Sequence, residues 1–130
     1  MSVFDAMNQR NAAMQTLNAE TLATLRSYSA PGMDFVAEVV GAFLGSVDGY
    51  LGQLDEAVAK GDAEGVHRAA HPLKSSSKQV GADAFSEVCK EMEMAGRQGR
   101  VDEFVGLHKQ LRAAWAEVSP LLEAEVAKGG

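Results

Sequence analysis

Four stretches of the chain place large apolar residues at intervals of three and four, and each stretch is closed by a break of only two to four residues. In 33–60 the positions are Val36, Val39, Val40, Phe43, Val47, Tyr50, Leu51, Leu54 and Val58, the spacing of a helix buried along one stripe. Ala30-Pro31-Gly32 precedes it and Gly61-Asp62 follows; glycine suits the residue past a helix end, and aspartate caps the next helix. The second stretch, 63–80, turns Val66, Ala69, Ala70, Leu73, Ser77 and Val80 inward and stops at Gly81-Ala82-Asp83. The third, 84–98, repeats the pattern with Phe85, Val88, Cys89, Met92 and Ala95, its tail weakened by Gly96 and Gly99. The fourth runs through Val101, Phe104, Leu107, His108, Leu111, Trp115, Val118 and Leu122, with Pro120 expected to kink or stop it. Helices joined so tightly run antiparallel to their neighbours, which predicts an all-α, up-down-up-down four-helix bundle.

Ahead of the bundle, 18–28 reads as an additional short N-terminal helix capped by Asn18, with Leu22 and Leu25 inward, lidding one end. The bundle domain is thus 18–128. Residues 1–17 are an N-terminal extension in which Val3, Phe4, Met7, Met14 and Leu17 make a weakly helical pattern, fitting an extra packed turn or a loose arm. Inside the first long helix, Gly41, Gly45, Gly49 and Gly52 each cost up to about 1 kcal/mol of helix propensity. Either packing offsets them or a neighbouring backbone comes close.

Composition narrows the function. The 130 residues are one domain's worth, and 46% hydrophobic with 6% aromatic fits helices better than strands. Twelve basic against 18 acidic residues leave a net charge of −6, which a phosphate backbone repels, so nucleic acid is not an expected partner. A single Cys offers no internal disulfide and no zinc pair, which fits a reducing cytoplasm. Nothing approaches ~18–20 consecutive apolar residues, and 1–18 lacks the parts of a signal peptide, so no membrane association is expected.

The informative stretch is Ala69-Ala70-His71-Pro72-Leu73-Lys74-Ser75-Ser76-Ser77-Lys78-Gln79-Val80-Gly81-Ala82. On a helix, Lys74, Ser75 and Lys78 share the face of His71. An exposed imidazole, with an ordinary pKa of about 6.5, is largely unprotonated at neutral pH and is a nucleophile there. Two ammonium groups beside it suit an incoming or attached phosphoryl group. Ser75 leaves room for whatever carries that group. The chain has no Gly-rich nucleotide loop, no acidic cluster spaced for Mg²⁺ and no catalytic triad, so a partner must complete the chemistry.

These residues resemble the signature of histidine phosphotransfer (HPt) domains of multistep two-component phosphorelays, A-H-x-L-K-[GS]-S-S-x-x-[LVI]-G-A. The likeness extends to Phe43-Leu44, the Gly61-Asp62 turn, Cys89, Glu91-Met92-Glu93 and the 96–100 turn, covering about 18–122. It implies that His71 takes a phosphoryl group on Nε2 from the phospho-aspartate of one receiver domain and passes it to another. The receivers would belong to hybrid histidine kinases and response regulators, and the Mg²⁺ to the receiver. Lys74 would assist electrostatically and Ser75 would permit docking, with Arg68, Lys78, Gln79, Glu93 and Arg97 as the surrounding binding set. The chain itself would be a cytoplasmic, monomeric phosphocarrier without kinase activity or a cofactor of its own. It departs from the family at Ser75, often Gly; at Glu93, often Gln, where a carboxylate would orient an imidazolium but repel a phosphoryl group it pointed at; and at Pro72, which takes a hydrogen bond from the carbonyl of Arg68 and implies a kink.

Two other readings remain open at this level. One is a helical interaction module with no phosphotransfer. The other is a metal- or haem-binding bundle using His67 and His71, one helical turn apart; the simpler reading of His67 is a solvated neighbour of His71. His108 reads as a satisfied histidine at the core edge, Cys89 as a buried small hydrophobe, Met92 and Met94 as core filler or partly exposed surface, and Glu20, Asp34, Glu38, Asp55 and Glu56 as solvated.

Overall fold

The computed structural model describes residues 15–129, so most of the N-terminal extension, including Val3, Phe4, Met7 and Met14, lies outside the described residues. Among the described residues there are five α-helices, α1 (Ala19–Arg26), α2 (Phe35–Lys60), α3 (Ala63–Gln79), α4 (Asp83–Arg97) and α5 (Phe104–Gly129), with a 3₁₀ turn over Val101–Glu103. The one β-type pairing among them is an isolated bridge between Ala30 and Met33. α2 packs on α3 and α5, and α4 packs on α3 and α5, closing a four-helix bundle.

The helix ends follow from local chemistry. Asn18 accepts hydrogen bonds from the Glu20 and Thr21 N–H groups, Asp34 from those of Val36 and Ala37, and Asp62 from that of Gly65. Gly61 turns the chain between α2 and α3 with φ +64°, a backbone conformation that costs other residues. Asn18 also donates to Asp83 at 2.8 Å and its N–H reaches the Gly81 carbonyl at 2.8 Å, so α1 is anchored to the α3–α4 turn. Inside, Val40, Leu54, Val66, Ala70, Leu73, Phe85, Cys89, Met92, Leu111 and Leu122 are buried from all four long helices. Each large side chain among them contributes roughly 1.5–3 kcal/mol.

Several expectations need correction. Val101 is 46% exposed and belongs to the 3₁₀ turn, so the inward stripe of α5 begins at Phe104. Pro120 does not stop α5, which continues to Gly129. Pro120 and Ala116, whose carbonyl loses its partner, are both exposed, so water can satisfy that carbonyl while Leu122 and Val126 beyond pack inward. At Gly41, Gly45, Gly49 and Gly52 a Cβ would meet nothing within 4 Å. No backbone approaches there, and burial of the opposite stripe carries the helix. α2 is also long and apolar enough to pass for a membrane span by length and composition, against expectation, although Val36, Val40, Phe43, Val47, Leu51 and Leu54 are buried in the bundle core. Asp55 is paired: it accepts from His108 Nε2 at 2.6 Å and from Arg112, clamping α2 to α5 and satisfying His108 at the core edge.

Candidate functional site

His71 stands on the outer face of α3 with 59% of its side chain exposed, while Ala70 and Leu73 on either side of it are buried. α3 runs unbroken through Pro72 to Gln79. Of the serine run, Ser77 is fully buried and its hydroxyl donates to the Leu73 carbonyl at 2.5 Å, removing the polar cost of placing it in the core. Ser86 of α4 donates to the Lys74 carbonyl at 2.8 Å and pins the two helices together beside the site.

α4 comes into tight backbone contact with α3 at Gly96. A Cβ there would lie 2.6 Å from the His67 backbone nitrogen and 2.8 Å from the Ala63 carbonyl oxygen, so only glycine allows this approach. By helix propensity alone Gly96 is a weakness in the helix tail. It is instead the contact that brings α4 close enough for Glu93, one turn earlier, to reach the face of His71.

Glu93 is the centre of the cluster, with only 4% of its side chain exposed. Its Oε1 lies 2.8 Å from His71 Nδ1 and 3.3 Å from an Arg97 guanidinium nitrogen, and its Oε2 lies 2.6 Å from Lys74 Nζ in an ion pair. His67 Nε2 is 3.8 Å from the same Oε1 and 3.5 Å from Arg97. Burial pushes the Glu93 carboxyl up, but hydrogen bonds and charge from Lys74 and His71 outweigh it and hold the group below the usual carboxylate value. A charged carboxylate accepts only, so it selects the His71 tautomer with the proton on Nδ1 and leaves the lone pair on Nε2. The carboxylate therefore meets the ring at the nitrogen remote from Nε2, which answers the concern about repulsion.

The remaining expected residues fall around this centre unequally. Ser75 is exposed and, with Lys74, Lys78, Ser86 and Lys90, lines a cleft of about 440 Å³ between α3 and α4. Lys78 pairs with Asp83 at 3.4 Å. Arg68 is turned toward Glu64, 2.6 Å away, and Gln79 lines a separate groove with Val39 and Phe43 of α2, so neither is in the Glu93 cluster. His67 is more than a solvated neighbour, being two-thirds buried and in contact with α4. Sequence reasoning missed its place beside Glu93, although the i, i+4 pairs His67/His71 and Glu93/Arg97 were both legible. Among the described residues no group of three or more His, Cys, Asp or Glu side chains is arranged to hold a metal ion.

The profile described as "Hpt domain" matches residues 38–120, more than half the chain and the whole of the α3–α4 site. The chain belongs to the Hpt domain family. It is also similar in structure to histidine-containing phosphotransfer protein B (HptB) from Pseudomonas aeruginosa PAO1, with a TM-score of 0.78 and 26% identity over 87% of this chain and 96% of that one. No curated protein sequence matches it significantly. Membership of the Hpt family makes the chain a histidine phosphotransfer module of a phosphorelay and disfavours both the metal-binding bundle and the bare interaction module.

Proposed function

We propose that His71 is the phosphoacceptor of this Hpt domain and that it passes the group between the receiver domains with which the family works. The observation that carries this reading is the asymmetry of the ring: Nδ1 is bound to a buried carboxylate at 2.8 Å while the side chain is 59% exposed. The Nε2 lone pair attacks the phosphorus of a receiver's aspartyl phosphate, the P–O bond to that carboxylate breaks, and the aspartate leaves as a free carboxylate. The ring keeps its Nδ1 proton, so no proton is transferred. The positive charge that the phosphorylated ring gains is balanced by Glu93, and the same arrangement lets the imidazole leave as a neutral group in the reverse step.

Lys74 supplies the nearest ammonium for the phosphoryl oxygens and exchanges Glu93 for them. Arg97 is the second cation at the rim, and Ser75 the small residue over which the partner approaches. Lys78 stands at the edge of the docking cleft, with Arg68 and Gln79 at the periphery. The Mg²⁺ of the reaction belongs to the partner receiver, and the chain works as a monomeric cytoplasmic carrier with no kinase activity of its own. Incubation with a ³²P-labelled receiver tests the assignment: label moves to the chain, is acid-labile and base-stable, and is absent from His71→Ala. Transfer that survives this substitution overturns it.

A further inference from the structure

Glu93 creates a difficulty for the chemistry just described, on which this inference rests. The Oε1 that orients Nδ1 at 2.8 Å accepts from a protonated ring as readily as from a neutral one, and a protonated His71 has no lone pair to attack with. Three groups compete for that carboxylate: Lys74 on Oε2 at 2.6 Å, Arg97 on Oε1 at 3.3 Å, and His67, whose Nε2 stands 3.8 Å from Oε1. Ammonium and guanidinium groups ordinarily keep their charge between about pH 5 and 8. Imidazole is the side chain whose charge changes between about pH 5 and 8.

The position of His67 suits that change. Its Nε2 lies 3.5 Å from Arg97, so a neutral His67 presents a lone pair to the guanidinium and leaves Oε1 to His71 and Arg97. A protonated His67 cannot accept from Arg97; its Nε2–H turns to Oε1 instead and draws on the oxygen that His71 uses. The two rings are 6.3 Å apart, so their charges also oppose each other directly. The charged groups facing His67 are Glu93 and Arg97 from α4, and its own helix adds His71 and the Glu64–Arg68 pair, whose members are bound to each other at 2.6 Å.

We infer that His67 is a positioning residue that shares Glu93 Oε1 with His71 and, by taking up a proton as the pH falls, holds off protonation of the phosphoacceptor. The consequence is a wider range of acidic pH over which His71 accepts a phosphoryl group.

The test uses the full chain. The His71 ring is titrated by NMR, and its phosphorylation by phosphoramidate, a small donor that needs no receiver, is followed from about pH 5.5 to 8, each protein normalised to its own rate at pH 8. In His67→Gln, which accepts from Arg97 but never charges, the His71 midpoint rises by about half a pH unit, the size of one unit charge at this separation in a largely aqueous surround. The acid limb of the rate shifts up with it, a relative loss of about threefold at pH 6. His67→Lys carries a fixed charge and moves both in the opposite direction. If His67→Gln leaves the midpoint and limb where they are in the parent while His67→Lys moves them, or if both variants shift them the same way, the inference fails. Failure of transfer from a phosphorylated receiver in the parent protein is a separate result and counts against the proposed function.

Discussion

Glu93 Oε1 accepts from His71 Nδ1 at 2.8 Å while Oε2 of the same carboxylate holds Lys74 Nζ at 2.6 Å. Under the proposed function, one buried group orients the nucleophile and stores the cation that the phosphoryl group would need. The two roles separate by substitution. Glu93→Gln keeps an acceptor for Nδ1–H but releases Lys74, whereas Glu93→Ala loses both. We expect Glu93→Ala to slow phosphoryl acceptance by roughly tenfold to a hundredfold, by analogy with the loss of the carboxylate partners that orient metal-binding histidines. Glu93→Gln falls between it and the parent. Phosphoramidate kinetics check the order; equal rates for the two variants would show that orientation of Nδ1 contributes nothing.

Two carboxylates tie stability to acid pH. For Glu93, burial pushes the carboxyl up but Lys74 and His71 hold it lower; for Asp55, burial does the same and His108 and Arg112 outweigh it. Both groups thus have folded-state values below their unfolded ones, near 4.5 and 3.8. Their contribution is complete above the unfolded values and is lost as pH falls through the folded ones. The contribution of these two carboxylates should be constant from neutral pH to about pH 5, and denaturant midpoints should decline below that. The decline is shallower in Asp55→Asn, and a parent curve that stayed flat to pH 3 would contradict the assignment.

The bundle was legible because its information is local. The spacing of Val36 to Leu54 and of Phe104 to Leu122, with Gly61-Asp62 and Gly81 between helices, states helix, face and turn within a few residues. His71 and Lys74 were equally plain, lying three apart on one helix. What escaped was tertiary. Gly96 reads as a poor helix former until the His67 backbone is placed against it, and Glu93, which the family resemblance set beside His71, shows its burial and its hold on Lys74 only once α4 turns it under the ring. That Pro120 does not stop α5 was not legible, because a proline's cost depends on whether the freed carbonyl faces water, and that is a property of the packed bundle.

Cys89 is fully buried on α4, and burial pushes its thiol far above the ordinary cysteine value. The thiolate, which is the reactive form, is therefore scarce in the folded chain. A disulfide reagent such as DTNB should modify the native protein only as fast as it opens and the denatured protein at once. Rapid modification under native conditions would mean that α4 leaves the bundle readily.

Two glycine-to-alanine substitutions should act in opposite directions. At Gly49, on the exposed side of α2, a Cβ meets nothing within 4 Å, so alanine adds helix propensity without conflict. Gly49→Ala should stabilise the fold by about 0.5–1 kcal/mol. At Gly96 the Cβ would stand 2.6 Å from the His67 nitrogen and 2.8 Å from the Ala63 carbonyl oxygen, backbone atoms that yield only if the helices part. Gly96→Ala should cost about 1–3 kcal/mol. Because α4 carries Glu93, the variant should also weaken the hold on His71, seen as reduced phosphoryl acceptance at a denaturant concentration where the chain is still folded. Denaturant unfolding of both variants measures the contrast. A stabilised Gly96→Ala protein with unchanged phosphoryl acceptance would mean that α3 and α4 do not approach at this point and that Glu93 is not held by it.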